Sequence, residues 1–208
     1  MPTSTVLKKL LAGTLHGALG AGLLTINLNR GWWKTSPIVD YATLGLEYYL
    51  FFVFTVALII SLYQALGYEV SEFFETPLYA LSPGEFWRGW NKPMQEWLKD
   101  NVFHQIPGRK RLYTGILLTF TASGLFHEYT ISLASDTING FMLAYFLIQS
   151  GVCLSSIYLH RLLSESITDY KKRKDIIVIK WASTMAFLTL PGVLFLHNLR
   201  KVFPLHGF

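Results

Sequence analysis

The chain has 208 residues, of which 51% are hydrophobic and 15% charged, with a formal net charge of +5. Mean hydropathy is positive, the composition of a membrane protein of one compact domain. The charge is no sign of nucleic acid, because Lys and Arg cluster beside apolar runs, at Lys8-Lys9, Arg109-Lys110-Arg111 and 171–174, as they do in cytoplasmic loops. The single cysteine, Cys153, lies in an apolar run, which excludes a disulfide framework and a zinc pattern.

Residues 1–24 look like a signal peptide, with Lys8-Lys9 before a run of Leu, Ala and Gly. No small-residue cleavage site is followed by a soluble domain, so they read as a first span. Runs long enough to cross a bilayer occur at 10–28, 48–66, 112–134, 138–162 and 176–199, which predicts an all-α, polytopic transmembrane bundle of about five spans. Glu47 borders the second run and is expected at the membrane interface. Pro191 is expected to kink the last span, a break that neighbouring helices can tolerate. The basic bias of 69–111 and 163–175 puts the N-terminus and both long loops in the cytoplasm, although Arg30, Lys34, Arg200 and Lys201 run against that topology. No repeat or linker divides the chain, and residues 1–208 read as one membrane-embedded domain.

Before the third run, Ser82-Pro83-Gly84-Glu85 offers an N-cap serine, a proline at the first helical position and a glutamate three residues after the cap. That is a capping box, and it predicts a helix. At 100° per residue, Phe86, Trp87, Trp90, Met94, Trp97 and Leu98 share one face, with the charged residues opposite. Such a helix, expected over 84–104, lies in the membrane interface. Pro93 removes a backbone donor and clashes with the preceding turn, which predicts a kink or restart near Asn91.

The third run contains His127-Glu128. An ionisable side chain within a span costs about 2.5 kcal/mol or more when charged at the centre, so it marks either function or a buried pairing. His127 shares its helical face with Phe120, Ser123, Gly124, Thr130, Ile131 and Ala134; most are small or hydroxylated, which admits a neighbouring helix or a thin ligand. A zinc-protease reading fails, because Ile131 stands where HExxH needs a second histidine. Glu128 points about 100° from His127 and is expected to orient something. Two readings of Asn91 stay open: an N-cap for the helix restarted at Pro93, and an amide donor to a substrate oxygen.

The segments EFWRGWNKPMQEW (85–97) and SGLFHEY (123–129) resemble the two signatures of the membrane-bound O-acyltransferase superfamily. The first is similar to the FW-x-x-WN-x-P-x-x-x-W pattern of diacylglycerol and sterol acyltransferases, and the approach PLYALSPGEFW (77–87) is closer to wax synthase-like members. The resemblance covers roughly residues 70–165. It implies that His127 is the catalytic base and Asn91 its partner, with Trp87, Trp90, Ser123 and Glu128 at the substrate. It further implies acyl-CoA as co-substrate, with no cofactor and no metal, a hydrophobic alcohol arriving from the lipid membrane, and a multi-pass protein of the endoplasmic reticulum, with room for a homo-oligomer. Members usually have more than five spans, so the chain is expected to be the C-terminal part of a longer family fold or a reduced member. The rival reading is a catalytically silent scaffold or lipid-binding protein of the same fold, in which His127 and Asn91 only hold helices together. A transporter is disfavoured, since there is neither an inverted repeat nor a series of intramembrane charges.

Overall fold

The computed structural model describes residues 3–31, 36–108, 111–166 and 174–205, and among these every regular element is helical. The basic cluster Arg109-Lys110, residues 171–173, Lys34 and His206 lie outside the described residues. Two compact units are present, one running to Glu72 and including the stretch from Phe203, the other Phe73–Val202.

The first unit is a helix pair, α1 (Thr3–Arg30) and α2 (Pro37–Ala65). Ser36 caps α2 by accepting from Ile38 N–H at 3.2 Å, with Pro37 entering the first turn. The pair is antiparallel: Gly13 faces Ala57, Gly17 faces Phe54, and Asn27 reaches back to Thr43 and Glu47. A Cβ at Gly13 would come within 2.5 Å of the Ala57 Cβ, so this close approach depends on a residue without a side chain, as lipid-facing helix pairs commonly do. Glu47 therefore does not border the helix that could span but belongs to it. It lies well inside α2, fully buried, and accepts from Asn27 Nδ2 at 3.2 Å.

The second unit holds the residues singled out for chemistry. Its short helices are α3 (Pro83–Gly89) and α4 (Lys92–Asn101), flanked by 3₁₀ turns at Pro77–Tyr79 and Phe103–Gln105. The capping box closes almost as expected: Ser82 Oγ accepts from Glu85 N–H at 3.3 Å, while Glu85 Oε2 reaches Leu81 N–H at 2.8 Å. The helix expected over 84–104 breaks at Trp90–Asn91 for the reason that Pro93 supplies. A continuous helix would press the proline ring on the Gly89 carbonyl, four residues back. Instead that carbonyl turns away and accepts Glu75 N–H at 2.8 Å, and Lys92 N–H bonds the Phe73 carbonyl at 2.9 Å. Gly89 is required for this contact, since a Cβ there would lie 2.4 Å from the Glu75 oxygen.

The longer helices are α5 (Arg111–Ser135), α6 (Phe141–Ser166), α7 (Lys174–Thr189) and α8 (Gly192–Val202). Around Pro191, α7 and α8 meet at 46°, the kink expected of that proline. Among the described residues α1, α2 and α6 are long and apolar enough to cross a membrane, and the bent α7–α8 pair makes up to four. The chain is thus an all-α protein of several membrane-crossing helices, three or four where five were expected. The helix missing from that set is α5: it has the expected length, but His127, Glu128 and its hydroxyl residues dilute its apolar run.

Candidate active site

His127 sits late in α5, half-buried, and its Nδ1 lies 2.8 Å from the Ser123 carbonyl one turn back. A carbonyl only accepts, so Nδ1 carries the proton in the neutral ring and the lone pair is at Nε2. Among the described residues Nε2 makes no hydrogen bond. The imidazole is held between rings, with the Phe146 centroid at 4.6 Å and the Phe195 centroid at 6.0 Å. Position 124 favours this closeness: a Cβ on Gly124 would stand 3.0–3.1 Å from Leu143 and Phe146 atoms, so a larger residue there would push α6 back by a few tenths of an ångström.

Trp87 reaches the same place from α3. Its indole meets Phe120 at 5.5 Å, nearly perpendicular, and Phe146 at 5.8 Å, with Tyr145 at 6.4 Å. A single ring, that of Phe146, therefore contacts both the Trp87 indole and the His127 imidazole. The indole Nε1 is buried and has no hydrogen-bond partner among the described residues. Trp90 has another setting, stacked on Phe86 at 5.5 Å and tilted against Phe74 at 4.9 Å, which braces the α3–α4 elbow.

Asn91 combines both properties that the elbow demands. Its backbone is left-handed, φ 45° and ψ 60°, a conformation asparagine tolerates better than most side chains. Its Oδ1 caps α4 by accepting from Met94 N–H at 3.4 Å, which leaves the amide Nδ2 as a donor. No hydrogen bond joins Asn91 to His127 among the described residues.

Glu128, which the sequence placed at the substrate, has both carboxylate oxygens engaged by the start of α6. Oε1 accepts from Asn139 and Gly140 N–H at 3.1 and 2.8 Å, and Oε2 from Met142 and Leu143 N–H at 3.0 and 3.5 Å. An anion at a helix N-terminus satisfies donors that have no intrahelical partner and meets the positive end of the helix dipole. Next to it, Asn139 and Asn198 exchange two amide bonds at 2.5 and 2.8 Å, tying this turn to α8. Ser123 is buried and acts on His127 through its carbonyl.

Sequence reasoning passed over Phe146, Phe195 and Gln149. Gln149 is fully buried on α6 and donates to the Phe187 and Leu188 carbonyls at 3.3 and 3.4 Å; an amide inside an apolar run was the available signal. The aromatic residues had none, being ordinary components of a span. Residues of α3 and α4 also line an open cleft of about 510 Å³, together with the segment before α3; its charged and amide lining is Glu75, Glu85, Arg88, Lys92, Gln95 and Lys99. Lys92 pairs with Glu75 at 2.8 Å and holds that carboxyl below the ordinary glutamate range.

Two curated proteins align with part of the chain. A probable alginate O-acetylase AlgI of Pseudomonas fluorescens is 30% identical over 77 residues, 35% of this chain and 16% of that protein. Its counterpart in Azotobacter vinelandii is 31% identical over 72 residues, 33% and 14% of the two lengths. The aligned stretch thus covers about a sixth or less of either relative. The family model for membrane-bound O-acyltransferases matches residues 41–155, more than half of the chain and inclusive of both Asn91 and His127, so this protein belongs to the membrane-bound O-acyltransferase family.

Proposed function

We propose that this chain transfers an acyl group from acyl-CoA to the hydroxyl of a lipid alcohol, such as a fatty alcohol, diacylglycerol or sterol, yielding a neutral ester. The observation that carries the reading is the pose of His127: the Ser123 carbonyl holds the proton on Nδ1, and Nε2 is left with a lone pair among aromatic rings. Neutral imidazole suits general-base work near pH 7. In the reaction Nε2 takes the hydroxyl proton as the alcohol oxygen attacks the thioester carbonyl. The tetrahedral intermediate then expels the CoA thiolate, which recovers the proton from the imidazolium. Asn91 Nδ2 is suited to donate to the oxyanion, a contact worth about 3 kcal/mol in comparable sites.

The cleft beside α3 supports acyl-CoA as donor through Arg88 and Lys99, which line it together with Glu85 and the Lys92–Glu75 pair, since phosphates favour such cations. The alcohol would come from the bilayer, and this lipid reading goes with a membrane of the endoplasmic reticulum. The two relatives, probable alginate O-acetylases, favour a second acceptor, a polysaccharide hydroxyl receiving acetyl. One experiment separates them: the full chain, expressed in yeast lacking neutral-lipid synthesis, is given labelled fatty acid or labelled acetate with a panel of alcohols and alginate. Labelled lipid ester that disappears in a well-expressed His127→Ala variant is the expected result. Ester formed equally by that variant would overturn the mechanism, and label on alginate alone would replace the acceptor.

A further inference from the structure

We infer that the Trp87 indole N–H is a substrate-binding donor that holds the carbonyl oxygen of the acyl group, with the acyl chain lying along Phe120, Tyr145 and Phe146. This deepens the acyl-transfer reading and rests on it. The starting observation is that Nε1 is buried without an acceptor among the described residues. Buried polar groups nearly always find a partner, and an N–H left without one costs about 1–3 kcal/mol; buried tryptophan is no exception. The rings around the indole account for its carbon frame, so the nitrogen is the feature that calls for a ligand.

The surroundings define that ligand. Phe120, Phe146 and the ring of Tyr145 make a largely apolar wall around the indole, which fits a hydrocarbon chain, and the Tyr145 hydroxyl makes no hydrogen bond to Nε1 among the described residues. The perpendicular Phe120 ring presents at best a weak N–H···π contact, far short of a carbonyl. His127 shares Phe146 as a neighbour with the indole. The neighbouring residue, Arg88, lines the polar cleft beside α3. A molecule with an anionic head, a carbonyl and an apolar tail would satisfy cleft, indole and wall in that order, and a long-chain thioester has those three parts. An N–H bond to its carbonyl would strengthen as the oxygen becomes an oxyanion, beside whatever Asn91 contributes.

The test uses the full chain in detergent with ¹⁵N-labelled indoles, the Trp87 signal being identified by its loss in Trp87→Phe. Two stable CoA derivatives are titrated: a 2-oxoalkyl thioether, which keeps a carbonyl, and the alkyl thioether of equal length, which lacks one. The expected result is a downfield shift of the Trp87 N–H with the first and little change with the second at equal occupancy. Replacing the indole by benzothiophene, which preserves shape without the donor, should lower kcat about 10²-fold with binding of the alkyl derivative unchanged. If both derivatives bind and the resonance ignores the carbonyl, or the benzothiophene protein keeps full kcat, the inference is wrong while the acyl-CoA reading stands. Binding of neither derivative removes the acyl-CoA reading and this inference with it.

Discussion

Removing the Glu128 carboxylate should loosen the junction of α5 and α6, and the structure indicates by how much. Four main-chain N–H groups at the start of α6 converge on it, but the Leu143 contact is long, 3.5 Å, and the Asn139 contact is exposed. The firm contributions are the bonds from Gly140 at 2.8 Å and Met142 at 3.0 Å, both partly buried. Losing a helix cap costs about 1 kcal/mol. Loss of an anion facing the helix N-terminus adds about 0.5–1 kcal/mol at a partly exposed site. Glu128→Ala is therefore expected to cost about 2 kcal/mol, and Glu128→Gln, which keeps one acceptor oxygen and loses the charge, about 1 kcal/mol. For a chain of this length that is a fall in Tm of about 4–8 °C for the alanine variant and half as much for glutamine. Thermal unfolding of the detergent-solubilised protein measures it, and amide exchange at 139–143 should report the same loss locally. An alanine variant with unchanged Tm and unchanged protection at Gly140 and Met142 would refute the capping role and return Glu128 to the substrate.

Three further outcomes are expected. Gly89→Ala should destabilise by about 1–3 kcal/mol, because its Cβ would meet the Glu75 carbonyl at 2.4 Å and the backbone must move; a variant with native Tm would show that this contact does not hold the elbow. Asn91→Asp keeps a capping oxygen and tolerance of the left-handed backbone but has no amide donor, so its Tm should stay near native while turnover falls about 10²-fold; Asn91→Ala should lose both, with about 1 kcal/mol of stability. Full turnover in a stable Asn91→Asp protein would leave the residue as a cap alone. The Lys92 ammonium lowers the Glu75 carboxyl, so their pairing operates above the ordinary glutamate range and fades as pH falls through the lowered folded value. In an NMR titration, Lys92→Met should return Glu75 to ordinary behaviour, and an unmoved titration would show that the pair has no effect in solution.

What the sequence determined by itself is local. The apolar runs, the capping box at Ser82, the break enforced by Pro93 and the kink at Pro191 all follow from groups a few residues apart, and the structure has each of them. Even the tautomer of His127 is local, since its partner carbonyl lies one helical turn away. Tertiary structure decided the rest. Phe146 and Phe195 join Trp87 and His127 in one cage although they come from separate helices and look like ordinary span residues. Glu128 found its partners at the start of α6, where Gly124 favours the close approach of that helix. Glu47 became buried because α2 begins well before its apolar run and Asn27 of α1 meets it there. Spacing along one helix states which residues share a face, but the identity of the surface opposite is set by the packing of distant segments, which no local pattern encodes.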